Sequence, residues 1–250
     1  MEYLSGGDLF FHLHRRAVRH NRYGFSERRC AGMLAEIGLA VHHLHKHSFV
    51  HRDLKIENIM VGQDGHLKII DLGLCRRLAL NEPYVLESKR AGSIMYMPRE
   101  LLLHGQVGYF TDWWAFGVLA HELMTGCSPW STLDDRQELF RQITSLRVPP
   151  PPSLSYPAAN LIFRLMDHAI VQRLGSSGDF DEVQKHAFFN NQDWESISSG
   201  KADPPMHPRQ VPIDLSNEYE HQNLPGVDWN LGLPMSNTKP AVSPITDIFS

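Results

Sequence analysis

The stretch "HRDLKIEN", residues 51–58, brings together an acid, a base and an amide: Asp53, Lys55 and Asn58. A second acid, Asp71 in "IIDLGL", stands thirteen residues beyond Asn58. These side-chain types suit phosphoryl transfer. That reaction asks a protein for metal-holding oxygens, a residue that orients the nucleophile, and positive charge on the moving group. Asp53 could accept the proton of an attacking hydroxyl, and Lys55 could reach the transferring phosphate. Asn58 and Asp71 offer hard oxygens suited to Mg2+, which keeps several waters and binds through substrate phosphates. The chemistry works only if all four face one ligand, so neighbouring elements must fold the two stretches together.

Those elements are legible in outline. "NIMV", the turn "GQDG" and "HLKII" predict a short hairpin flanked by Asn58 and Asp71, which would bring both to the same end. Upstream, residues 26–48 read as a helix with Ser26 as N-cap and Glu27 in the first turn. Cys30, Met33, Leu34, Ile37, Val41 and Leu44 recur at three- and four-residue intervals and mark its buried stripe. His42, His43, His45 and His47 lie towards its end, where cationic side chains suit the helix dipole better than a metal would suit the spacing. Residues 74–95 carry several charges without clean periodicity and read as a mobile loop. "TDWWAFGVLAHELMTG" (111–126) reads as a buried helix stopped by Gly126, with Trp113, Trp114 and Phe116 as core. Further helices are expected near 134–145 and 157–170, joined by the stiff connector "VPPPPS".

The bulk properties narrow the setting. The 250 residues carry a net charge of −4, with 42% hydrophobic and 21% charged residues, so no global field recruits nucleic acid or acidic membranes. Three widely spaced cysteines argue against a disulfide framework and for a reducing compartment, the cytoplasm or also the nucleus. No signal peptide or apolar run of membrane-spanning length is visible. The opening "MEYLSGGDLFFHL" reads like the middle of a domain.

"HRDLKIEN" resembles the catalytic loop of the eukaryotic protein kinases, and "DLG" stands where most members carry Asp-Phe-Gly. Asp112 in "TDWWAFG" is similar to the buried aspartate that braces that loop. "GSIMYMPRE" resembles the segment ending in Ala-Pro-Glu, keeping Glu100, and "QRLG" supplies Arg173, its partner in the family. "RLGSSGDFDEVQKHAFFNNQDW" resembles the closing segment of the AGC serine/threonine kinases, in their ribosomal-protein kinase-like branch. The resemblance implies a mainly α fold: a kinase-like C-terminal lobe with short β-hairpins over 1–194, without the β-rich small lobe. Residues 195–250, rich in Pro, Ser, Asn and Gly, are expected to form a C-terminal extension largely without a core of its own. It also implies ATP and Mg2+ as cofactors, with Asp53, Lys55 and Asn58 catalytic and Asn58 and Asp71 on the metal. "MEYLSGGDLF" would be the hinge, with Met1 at the gatekeeper position, Asp8 on the ATP ribose and Met60 flooring the adenine pocket. Lys55 and Ser93 match positions typical of serine/threonine kinases, and Asp8 and Glu57 match those that contact substrate arginines. The implied partners are proteins bearing Ser or Thr, with basic residues upstream, and a regulatory protein.

Two departures shape the expectation. The Gly-rich loop, strand lysine and helix glutamate of the family should appear before the hinge, and residues 1–250 contain none of them. Positioning can lower a barrier by roughly 7–11 kcal/mol, and losing half of that slows transfer about a thousandfold. The 250 residues alone are thus expected to transfer phosphate poorly, or to act as a catalytically silent scaffold. Second, the family's phosphorylatable threonine, three residues before Gly92, is replaced by Lys89 with Ser88 beside it. In the family a phosphate there pairs with the arginine matched by Arg52. Lys89 cannot accept that phosphate and would repel Arg52, so the loop is expected to lack this source of order.

Overall fold

Helix α4 (Tyr109–Thr125) is buried along its whole length from Phe110 to Met124, and the other elements are arranged around it. A helix apolar on all sides belongs in the centre of a domain. It stops at Gly126, whose left-handed φ of 80° lets its N–H reach the Glu122 carbonyl at 2.7 Å. The structure, a computed structural model, describes residues 4–20, 23–80, 82–130 and 135–206.

Two helices flank α4: α2 (Glu27–Lys46) and α6 (Tyr156–Leu165). Cys30, Met33, Leu34, Ile37 and Val41 form the buried stripe of α2 as expected, but Leu44 is only half-buried and His45 takes the inward place. Ser26 holds the N-cap position without a side-chain cap bond. Glu27 instead spans to Ser155, accepting from its N–H at 2.7 Å and from its hydroxyl at 2.5 Å. Ser155 in turn accepts from Ala158 N–H, and Pro157 sits in the first turn of α6, where its missing donor costs nothing.

The remaining helices are short or peripheral. Helix α1 (Leu9–His20) follows the N-terminal segment, and α3 (Arg99–His104) precedes α4. Helix α5 (Arg136–Ser145) starts at Asp135, whose carboxylate accepts from Gln137 N–H. The 157–170 prediction ends early, because α6 closes at Leu165. Helices α7 (Asp179–Val183) and α8 (Trp194–Ser198) close the described chain. Trp194 packs edge-on against Phe180, and Met206 is buried, its N–H donating to the Gly65 carbonyl at 3.3 Å. The first residues of the expected extension therefore lie on the core. Residues 207–250 are outside the described set.

Three two-stranded antiparallel sheets are present among the described residues. The predicted hairpin is β2 (Ile59–Val61) with β3 (Leu67–Ile69), in register Ile59↔Ile69 and Val61↔Leu67. The segment read as a loop is tied at two points. Strand β4 (Arg76–Arg77) pairs with β1 (Phe49–Val50), and β5 (Val85–Leu86) pairs with β6 (Gln106–Val107). Pairs of two residues are too short to show alternation, so periodicity could not reveal them. The fold is thus mainly helical with short hairpins, and no described helix is long and apolar enough to cross a membrane.

Candidate active site

The loop between β1 and β2 is held from below by one carboxylate. Asp112, fully buried in the first turn of α4, accepts from the His51 N–H at 2.7 Å and the Arg52 N–H at 2.9 Å. An acid in the first helical turn is favoured by the unpaired amides there. Arg52 sits at a left-handed φ of 72°, a conformation that costs a non-glycine residue on the order of 1 kcal/mol and needs such anchoring. The turn aims the next residue, Asp53, into a cluster.

Asp53 Oδ1 accepts from the Ser93 N–H at 2.9 Å, and Oδ2 lies 2.9 Å from Lys55 Nζ. Lys55 Nζ also donates to Ser93 Oγ at 3.1 Å. Asn58 Nδ2 donates to both the carbonyl and the Oδ2 of Asp53, at 2.8 and 3.0 Å. Burial works to raise the Asp53 pKa, but the hydrogen bonds from Lys55 and Ser93 prevail and hold it below the usual carboxylate value. The carboxylate is therefore ionised at neutral pH. Gly92, at φ 108°, lets Ser93 dock: a Cβ there would meet the Arg52 carbonyl oxygen at 2.9 Å.

The hairpin performs the expected closure. Ile70 N–H donates to the Asn58 carbonyl at 2.9 Å, which puts Asp71 at the same end as Asn58. Asp71 is exposed, at a left-handed φ of 60°, with Oδ1 accepting from Gly73 N–H. Asn58 donates to Asp53 twice through Nδ2, so Oδ1 is the atom available to a cation. An amide oxygen and one exposed carboxylate form a hard, sparse donor set. That suits Mg2+, which takes its remaining ligands from water and phosphate, and the residues present fit it.

The N-terminal segment lies across the hairpin. Gly6 N–H donates to the Val61 carbonyl, Val61 N–H donates to the Gly7 carbonyl, and Asp8 bridges Met60. A Cβ on Gly6 would meet the Val61 oxygen at 2.3 Å, so the close approach requires glycine. Asp8 has a role the sequence reading missed, because its Oδ1 caps α1 by accepting from Phe11 N–H at 2.6 Å. Burial outweighs that bond and raises its pKa. Met60 is half-buried on the hairpin. Met1 lies outside the described residues.

Behind the site are partners that sequence spacing could not reveal. Tyr96 donates to the buried Glu122 carboxylate in a very short bond and accepts from Ile56 N–H at 3.4 Å, which supports the Lys55–Asn58 turn from α4. Burial pushes the Glu122 carboxyl up to about 8. His45 bridges two acids: Nε2 lies 2.9 Å from Asp112 and Nδ1 lies 2.7 Å from Asp179. Asp179 also takes bonds from His42 and from Trp113 Nε1. Burial alone would lower the His45 pKa, but the hydrogen bonds to Asp112 and Asp179 push it up to about 9.

This network predicts a pH dependence. The folded pKa of His45 exceeds its ordinary 6.5, so its contribution is complete below pH 6.5 and disappears as pH rises through about 9. The size is on the order of 3 kcal/mol. Glu122, also raised, adds a loss in the same direction. Urea unfolding across pH 6 to 9.5 should show stability falling, and His45→Gln should remove about half of that fall, the rest belonging to Glu122. An unchanged slope in the variant would show that His45 is not protonated in the fold.

A family profile described as protein kinase domain matches residues 1–189. The chain belongs to the protein kinase family. It is 37% identical to a protein kinase C of Drosophila melanogaster over 218 residues, covering 87% of this chain and 28% of the relative. It is 36% identical to RAC-beta serine/threonine-protein kinase A of Xenopus laevis over 220 residues, covering 88% of this chain and 43% of the relative. The chain thus spans less than half the length of either relative. Both relatives are of the AGC type, as the closing segment implies. The helical architecture described above is that of the large lobe.

Proposed function

We propose that this kinase transfers the γ-phosphoryl group of ATP to serine and threonine hydroxyls of proteins. The carrying observation is Asp53, ionised and fixed by Lys55, Ser93 and Asn58, with Asp71 brought to the same end by the Ile70–Asn58 bond. Asp53 orients the substrate hydroxyl and takes its proton, while Lys55 moves between Asp53 and the transferring group. Asn58 and Asp71 would hold Mg2+, which neutralises charge on the nucleotide phosphates. Asp8 and Met60, joined in one bridge, would face the ribose and adenine, with Met1 nearby in the chain. Residues 1–194 act as the catalytic lobe and 195–250 as its extension, in the cytoplasm or nucleus.

Lys55, bonded to Ser93, supports a preference for serine and threonine over tyrosine. Glu57 is exposed and available to arginines upstream of the acceptor. Without a Gly-rich loop or strand lysine, residues 1–250 alone transfer slowly. A second reading, a silent scaffold, draws on exposed Leu72, Leu80 and Leu86, apolar side chains suited to a regulatory partner. A labelled-ATP assay with a peptide library separates the two. Labelled serine and threonine in Arg-bearing peptides, weakened selectively by Glu57→Gln, supports the kinase. Label on tyrosine alone, or equal loss for neutral peptides, refutes the specificity. No label from any form carrying a complete nucleotide cleft favours the scaffold.

A further inference from the structure

The loss of a phosphorylatable residue at position 89 leaves a question: what orders the segment that reaches from β4 to Ser93? A carboxylate two residues earlier supplies an answer. Glu87 Oε1 lies 3.1 Å from Arg76 Nε and 3.7 Å from Arg52 Nη1. Arg52 is the residue before Asp53, and its side chain is 9% exposed. Arg76 follows Asp71 by five residues and lies in β4. One acid therefore touches guanidinium groups from both stretches that carry the site.

The backbone of Glu87 is tied as well. Its N–H donates to the Gly105 carbonyl at 2.8 Å, just before β6, and its carbonyl accepts from Arg90 Nη1 at 2.8 Å. Three guanidinium groups, from Arg52, Arg76 and Arg90, thus converge on one residue. Glu87 Oε1 and Arg52 Nε are both buried without a hydrogen-bond partner, so the carboxylate acts on the two guanidinium groups through charge and proximity rather than through aligned hydrogen bonds. Removing this acid would leave the buried Arg52 guanidinium without its carboxylate, a larger penalty than losing a surface ion pair, while Arg76, at 50% exposure, keeps water on one side. Lys89, which cannot bind these arginines, is exposed.

We infer that Glu87 is a built-in clamp: its carboxylate holds Arg52 and Arg76 together and orders residues 82–92 without any added phosphate. It is a positioning residue, acting on Asp53 through Arg52 and on Asp71 through Arg76. Its effect on catalysis rests on the proposed phosphoryl transfer, whereas its effect on loop order does not.

The test is amide hydrogen exchange on the phosphatase-treated 250-residue chain, read over residues 82–90 and, as a reference, over α4. Wild type should protect the Glu87 amide with or without phosphatase. Glu87→Gln, which keeps the shape and removes the charge, should speed exchange over 82–90 by about tenfold or more and leave α4 protected. Glu87→Asp should restore part of the protection. Arg76→Met, at a half-exposed side chain, should reproduce the loss and covers the case in which Glu87→Gln does not fold. In an active form, Glu87→Gln should lower kcat with little change in KM for the peptide. Unchanged exchange in both Glu87→Gln and Arg76→Met would overturn the clamp. So would a loss of wild-type protection on phosphatase treatment, which would assign the ordering to a phosphate, with Ser88 as its nearest acceptor. If exchange responds as expected but no variant or wild type transfers phosphate, the clamp stands and the catalytic reading fails.

Discussion

Asp53→Asn should slow phosphoryl transfer by about 10²- to 10⁴-fold, the range a positioned general base contributes. Asparagine matches aspartate in shape and can still accept from the Ser93 N–H through Oδ1. It cannot take a proton, and it presents an N–H₂ group where Lys55 Nζ and Asn58 Nδ2 already donate. Lys55 then loses its ion pair and the Asn58 amide must turn or lose a bond. The nucleotide is held by other residues, so its affinity should change little. Single-turnover rates with nucleotide affinity measured separately will show this split. A loss of affinity with an unchanged chemical step would mean that Asp53 serves binding instead.

Arg173→Ala should lower the stability of the fold by about 3–5 kcal/mol, the cost of leaving a buried charge unpaired. Arg173 is 1% exposed, and its guanidinium meets Glu100 through two bonds, of 2.5 and 3.0 Å. It also donates to the Asp167 and Phe110 carbonyls and lies over the Trp114 ring at 5.0 Å. Alanine leaves the Glu100 carboxylate and two carbonyls without partners, and opens a cavity against the tryptophan. Against a typical total of about 5–15 kcal/mol, that loss is severe. Glu100 lies in α3, directly after the Gly92–Pro98 segment that docks on Asp53, so loosening α3 should reduce activity as well. Urea unfolding will measure the effect. A double variant, Glu100→Gln with Arg173→Met, should recover part of the stability, since an apolar replacement for both partners avoids the stranded charge. A fall of under about 1 kcal/mol in Arg173→Ala would place the pair among weak surface-like bridges.

What the sequence revealed and what it hid divide along a physical line. Asp53, Lys55 and Asn58 sit in one short turn, and a hairpin with a Gly-bearing turn brings Asp71 round, so local spacing sufficed to bring these residues together. The central helix was legible because it is predominantly apolar around its circumference and ends in glycine. Pairings across long separations were not legible. His45 occupies the inward place expected to pass to Leu44, because Asp112 and Asp179, 67 and 134 residues away, satisfy its ring. Nothing in the helix itself announces those acids. Glu87 was hidden for a related reason: its partners Arg52 and Arg76 lie 35 and 11 residues away, and nothing in the spacing around Lys89 marks a carboxylate two residues earlier as their counter-charge. Asp8 shows the opposite difficulty, a residue whose local cap role at α1 was readable but was overshadowed by its match to a ribose contact.

The central claim is that Asp53 acts on the hydroxyl while Asn58 and Asp71 hold the metal–nucleotide, and one comparison tests it directly. Mg2+-dependent binding of an ATP analogue and transfer to a serine peptide should be measured side by side for wild type, Asp53→Asn and Asp71→Asn, in a form with a complete nucleotide cleft. The account predicts that Asp53→Asn binds nearly as wild type yet transfers at least a hundredfold more slowly, and that Asp71→Asn loses the Mg2+ dependence of binding. Wild-type transfer rates in Asp53→Asn, or Mg2+-dependent binding retained in Asp71→Asn, would contradict it.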